Sequence, residues 1–296
     1  VNKIKSSDAE KIFVKAITSL TEKPKTLCDA RSATLNKAEI MFPDTLSSVR
    51  AAWNAVGVCE DPKPVQPTAP LNDTGIDWCA DGTRNFLPCP VAGFPWQDAQ
   101  HGRDATHNND SDGHAGFSFT KISNSGKTLP NSATLGNGPN DWGCTRDNVT
   151  GLIWEVKTND RGLRHADWEY SWYNPDPATN GGFAGNSDNG NTCFNTARCD
   201  THKFVADVNA IGLCGATDWR LPNRFELESL TSNDRIYPSI DPTFFPNTPS
   251  KLFWSTSPSP SPSYSYYALV VGFTVGNVYD QSKAFAESVR LVRGGQ

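Results

Sequence analysis

Eight cysteines, five histidines, one run of alternating acids and one segment dense in serine and tyrosine carry most of the chemical potential of this sequence. The cysteines are even in number and none stands in a CxxC pair, the spacing that zinc ribbons and thioredoxin-like sites need. Their expected chemistry is disulfide formation in an oxidising compartment. Sequence neighbours pair as Cys28–Cys59, Cys79–Cys89 and Cys193–Cys199, and Cys144–Cys214 closes the largest loop. His101, His107, His114, His165 and His202 are scattered, with no HExxH, and GxSxG, P-loop and GxGxxG patterns are absent. No catalytic residue is assigned, and neither an enzyme activity nor a cofactor is expected.

Asn108, Asp110 and Asp112 alternate ahead of Gly113 as the start of a calcium loop does. They are the candidate metal ligands, but Phe119 stands where the closing bidentate acid belongs. A solvated acidic turn is therefore the preferred reading, and calcium is expected to be dispensable for the fold. The segment Ser255–Lys283 is rich in Ser, Tyr, Asn, Asp and Pro. Tyrosine rings with serine hydroxyls are how antibody combining sites join rigid anchors to adaptable hydrogen bonding. The candidate ligand-binding residues are Ser263, Tyr264, Tyr266, Tyr267, Tyr279, Asp280, Gln281 and Lys283. The apolar run Ala268–Val271 must lie inside, so two polar stretches emerge beside it, with Asp280 and Lys283 as orienting charges. An ordinary polar surface loop is the plainer alternative.

These residues need elements to hold them. Residues 1–60 read as a small helical module. Ser7 and Glu10 form a capping box before an apolar face of Ile12, Phe13, Ala16, Ile17 and Leu20. A second helix from Asp44 to Gly57 carries Leu46, Val49, Trp53 and Val56. Cys28 and Cys59 follow the two helices. Residues 61–72 are a Pro-rich linker, 73–140 a loop-rich lead-in, and 141–296 the domain with legible elements. There TGLIWEVKT reads as a strand. Asp200 or Thr201 caps a helix through Phe204, Val205, Val208 and Ile211 that Gly212 stops. Asn223 with Glu226 caps another that turns Leu227 and Leu230 inward, and KLFWSTS, YYALVVGFTV and SVRLVRG follow as strands.

Net charge is −5 with no basic stripe, which argues against nucleic acid. No apolar run approaches the ~20 residues of a membrane helix. The chain opens on Val1, as after removal of an export signal, and a secreted or cell-surface location is expected.

DNVTGLIWE at 147–155, CGATDWRLPNRFEL at 214–227, LFWSTSP at 252–258 and the terminal VRLVRGGQ resemble the DUF1566 family. That family includes the C-terminal domain of bacterial collagen-like adhesins and is similar to the formylglycine-generating branch of the C-type-lectin fold. The resemblance implies an α+β, C-type-lectin-like domain with short strands, two helices and long ordered loops. Trp154, Trp219 and Trp254 then fill its core, and Arg220, Arg290 and Arg293 bond loop carbonyls. The formylglycine-generating relatives use late cysteines, and the last here is Cys214, so an oxidase activity does not carry over. Ser255–Lys283 also resembles the variable region of diversity-generating retroelement targets. The expected function is adhesion or ligand recognition, with a surface glycan, other polymer or protein as partner. The alternative is a structural subunit of a surface filament, assembled through residues 1–60.

Overall fold

The computed structural model describes residues 14, 27–41, 49–50, 52–53, 72–190 and 192–294. The chain divides into two compact units, Val1–Thr68 and Ala69–Gln296.

In the first unit, helix α1 spans Leu27–Met41. Ala30, Thr34, Leu35 and Ala38 are buried, at the i, i+4, i+5, i+8 spacing of one helical face. Leu35 and Ala38 pack with Val49 and, at the edge, Trp53. Cys28 lies within this helix, which the sequence reading did not expect. Three alanines and two leucines in LCDARSATLNKAEIM, with no Gly or Pro, favour helix throughout. Except for Val14, the helix expected after Ser7 lies outside the described residues, as do Cys59 and the Pro-rich stretch 61–70.

The second unit is α+β, with short strands and long ordered loops. A one-turn helix α2 (Asp104–His107) precedes strands β1 (Phe119–Ser123), β2 (Trp142–Asp147), β3 (Ile153–Glu155) and β4 (Glu169–Ser171). Helices α3 (Thr201–Ala210) and α4 (Arg224–Glu228) follow, then β5 (Leu252–Pro258), β6 (Tyr267–Gly272), β7 (Asn277–Ser282), β8 (Ala286–Ser288) and β9 (Val292–Arg293). One sheet has the order β1-β2-β3-β9, the other β4-β8-β5-β6-β7.

The expected caps are present. Asp200 accepts the Lys203 N–H at 2.8 Å and opens α3. Asn223 and Glu226 form a reciprocal capping box on α4. Leu227 and Leu230 are buried. Ile211, by contrast, is 60% exposed beyond the end of α3, because Gly212 turns left-handed at φ +62° and the helical face stops one residue earlier.

Period-two alternation on β6 places Val270 in one core and Val271 in a second, so the larger sheet is covered on both faces. Trp219 and Trp254 belong to the first core and Trp154 to the second. Two expected strands are divided. SVRLVRG contributes β8 to the larger sheet and β9 to the smaller, with the switch at the buried residues Val289–Leu291. Arg290 holds the switch, donating to the Glu155 carbonyl at 2.7 Å and the Thr248 hydroxyl at 2.6 Å. GFTV is a turn: β6 ends at Gly272, Gly276 has φ +83°, and Asn277 begins β7. Only there can the hairpin reverse at once, since a left-handed residue without a Cβ stands at the required point.

Three disulfides form in the second unit, Cys79–Cys89, Cys144–Cys214 and Cys193–Cys199, as the sequence predicts. The second unit is bonded inward from its first described residues. Asn72 donates to Asp147 at 2.5 Å, and the Thr74 carbonyl accepts from Asn233 N–H at 2.7 Å. Deleting residues 1–68 therefore leaves a cooperatively folding domain whose Tm lies within a few degrees of the full chain. Calorimetry of the truncated protein checks this, and loss of a cooperative transition counts against it.

Candidate ligand-binding surface

The β6–β7 hairpin sets Tyr267 opposite Ser282, Leu269 opposite Asp280 and Val270 opposite Tyr279. Tyr267 and Ser282 thus share one end of the sheet. The chain reaches that end from β5 through Ser259–Tyr266, with a single 3-10 turn at Pro262–Tyr264. Backbone bonds fix it: Ser259 N–H to the Tyr267 carbonyl at 3.1 Å and Lys283 N–H to the Tyr266 carbonyl at 2.9 Å.

On this frame Tyr264 is 51% and Tyr266 60% exposed, and Ser263 is exposed beside them. Tyr267 is half-buried and meets the Tyr264 ring edge-on at 5.4 Å. Tyr266 leans on Phe183 with centroids 4.8 Å apart. These two ring pairs make up an aromatic rim.

Tyr279 is 46% exposed but stands three residues along β7 from Ser282, about 10 Å at the strand rise. Its hydroxyl accepts from Asn277 at 2.8 Å. Asp280 is exposed on the opposite face of the strand. Gln281 is already engaged, donating to Glu287 at 2.5 Å and accepting from Ser282 N–H at 3.0 Å. The expected single patch therefore narrows to Ser263, Tyr264, Tyr266 and Tyr267.

Lys283 corrects the expectation outright. It is fully buried, and its ammonium donates to the carbonyls of Asn180 at 2.9 Å, Phe183 at 2.8 Å and Ser265 at 2.7 Å. The Nζ lies 4.2 Å from the centre of the Trp172 ring. Burial pushes its pKa down to about 8. Lys283 presents no charge to a ligand; it ties the rim to the loop beneath.

That loop, Asn174–Phe183, is the part sequence reasoning missed. Asp176 accepts from Ala178 N–H at 2.9 Å and Asn180 from Gly182 N–H at 2.9 Å. Gly181 has φ +69°, and a Cβ there would lie 2.5 Å from Pro258. The signal was present in NPDPATNGG, which is dense in turn formers. The same loop lines a cleft of about 280 Å³, together with residues including Trp172, Tyr173, His202, Arg220 and Thr256. Arg220 is neutralised there by a two-pronged bond to Glu226 at 2.7 and 2.8 Å. The His202 ring meets Tyr173 edge-on at 6.3 Å and is exposed. Arg220 also donates to the Gly294 carbonyl at 3.0 Å and Arg290 to that of Glu155, as expected, whereas Arg293 pairs with the Asp218 carboxylate at 2.7 Å.

The structure gives the three candidate metal ligands separate partners. Asn108 donates to Asp77 at 3.4 Å, Asp110 pairs with His114 at 3.2 Å, and Asp112 accepts from the Ser118 hydroxyl at 2.6 Å. Among the described residues, no three or more Asp, Glu, His or Cys side chains are grouped to hold a metal ion.

The family model of the Lcl C-terminal domain matches residues 143–293. The chain belongs to the Lcl C-terminal domain family. This family is DUF1566-like, in keeping with the motifs at 147–155, 214–227 and 252–258, all inside the match. The Lcl C-terminal domain thus runs from β2 to β9 and includes the rim and the cleft, whereas β1 and the Cys79–Cys89 knuckle lie outside it. No curated protein and no solved structure matches the chain. Among the described residues no helix is long and apolar enough to cross a membrane. The three disulfides fit an oxidising, extracellular setting.

Proposed function

We propose that this chain is an extracellular recognition protein of the adhesin type, and that the tyrosine rim with its neighbouring cleft engages glycans or other surface polymers. The observation that carries the reading is the exposure of Tyr264 and Tyr266 on a loop pinned from below. Large amphipathic rings held rigid lose little entropy on binding, which is why they dominate recognition surfaces. A lectin-like domain uses loops on a firm sheet in this way. The role is non-enzymatic in this reading. Within Ser255–Lys283 the exposed positions Ser263, Tyr264 and Tyr266 serve as a variable-type surface, since they can change without touching the core.

The test is retention of the full chain on immobilised polysaccharides, for the parent and for Tyr264→Ala and Tyr266→Ala. Each substitution is expected to weaken binding about 30-fold, near 2 kcal/mol, while leaving stability within about 0.5 kcal/mol, as is usual for exposed positions. Unchanged binding in both variants would exclude the rim. Fibres of native protein under the electron microscope, with no polysaccharide retained, would transfer the function to a structural filament subunit.

A further inference from the structure

A pair of carboxyl groups in the second unit, outside the Lcl match, lacks a counter-charge. Asp104 opens α2, is 6% exposed, and its Oδ1 has no hydrogen-bond partner. Its backbone N–H donates to Asp73 Oδ2 at 2.8 Å, while Asp73 Oδ1 accepts from Thr74 N–H at 2.8 Å. The two carboxyls face one another across a bare glycine. A Cβ on Gly102 would lie 2.5 Å from Asp104 Oδ1 and 2.6 Å from each oxygen of Asp73. Gly116, at φ +82°, closes from another side, with its missing Cβ 2.5 Å from Asp73 Oδ2. Asp98 adds negative charge nearby and accepts from the Thr74 hydroxyl. The adjacent cation, Arg103, spends its Nε on the Gly116 carbonyl at 2.9 Å.

Two like charges at such range, one of them buried, are unfavourable unless something neutralises them. Among the described side chains, none forms an ion pair with either carboxyl, and Asp104 Oδ1 is left without a hydrogen-bond donor. The facing donors are all oxygen, with no thiolate or imidazole among them, which suits a hard cation and not zinc or copper. Glycine-lined, irregular surroundings accept calcium's flexible coordination more readily than magnesium's strict octahedron.

We propose that Asp73 and Asp104 hold a calcium ion, its remaining positions filled by carbonyl oxygens and water. The ion joins the segment that opens the second unit to α2. Asn108, Asp110 and Asp112 are then bystanders.

The experiment is calorimetric titration of the chelator-stripped full chain with calcium chloride and, separately, magnesium chloride near pH 7.5, with thermal melts alongside. One saturable calcium per chain is expected, with a Tm rise of several degrees at millimolar calcium and a weaker response to magnesium. Asp104→Asn, which keeps shape and removes a charge, is expected to abolish the calcium heat and to raise the Tm of the calcium-free protein. Asp73→Asn gives the same reading should Asp104→Asn fail to fold. The Asp110→Asn, Asp112→Asn double variant is expected to respond like the parent. No saturable heat up to about 10 mM calcium, above the range of weak extracellular sites, overturns the proposal. So does calcium binding that survives Asp73→Asn and Asp104→Asn, or that is lost in the Asp110, Asp112 variant. A calcium-indifferent protein that grows more stable as the pH falls from 8 to 5 assigns the pair a shared proton, and equally overturns it.

Discussion

Replacing Cys144 and Cys214 together by alanine is expected to lower unfolding free energy by about 4 kcal/mol in the chain-entropy account of a cross-link. The bridge spans 70 residues, against 6 for Cys193–Cys199. The same account gives about 2 kcal/mol for the shorter one. The long bridge ties β2 to the turn after α3, and its loop contains β3, β4, α3 and the other bridge. The turn around Cys214 is tightly seated, with its carbonyl 2.8 Å from where a Cβ of Gly126 would stand. Since domains retain only about 5–15 kcal/mol in total, a loss of this size shifts the urea midpoint markedly. Urea titrations of the two double variants decide the matter. A Cys144/Cys214 variant no less stable than the Cys193/Cys199 variant would show that the loop is already ordered by its other contacts.

What could be read from the sequence was local. Asn223 and Glu226 are three apart, and a three-residue spacing is all a capping box requires. The tryptophans announced a core because rings of that size find few other places in a soluble chain. Cysteines close in sequence paired as neighbours do. The failures share a different cause. GFTV reads as strand by composition, yet the left-handed residue at Gly276 makes it a hairpin turn. SVRLVRG is uniform in pattern, and only pairing with β3, more than a hundred residues earlier, removes its second half to another sheet. Helix α1 was overlooked because its face is built of alanine and threonine, which a search for large apolar residues passes over. The rim was legible as a composition of tyrosine and serine. Its depth was not: turn formers announce the loop beneath it, but the carbonyls that draw Lys283 inward belong to the backbone and carry no sequence signal.

Lys283→Met is the sharpest test of that depth and is expected to cost at least about 3 kcal/mol. Methionine matches the lysine stem in length but gives up the ammonium contact with the Trp172 ring. It removes the one group that satisfies the carbonyls of Asn180, Phe183 and Ser265. Each buried acceptor left without a donor costs about 1–3 kcal/mol. The loss is therefore set by three orphaned oxygens, not by a missing charge. Arginine is not expected to rescue. Three carbonyls arranged about a point suit the three donors of an ammonium, whereas a guanidinium directs its five in one plane and needs more room. The consequence for the surface follows directly. Asn180 and Phe183 belong to the loop under the rim, and Ser265 lies between Tyr264 and Tyr266, so releasing all three loosens the aromatic platform. Lys283→Met should accordingly open residues 174–183 to limited proteolysis and weaken polymer binding more than Tyr266→Ala does, although Lys283 itself touches no ligand. Urea denaturation and proteolysis at matched fractions folded separate this from simple unfolding. A variant within about 1 kcal/mol of the parent, with the loop still protected, would mean that water replaces the ammonium and that the rim is held by its own ring contacts.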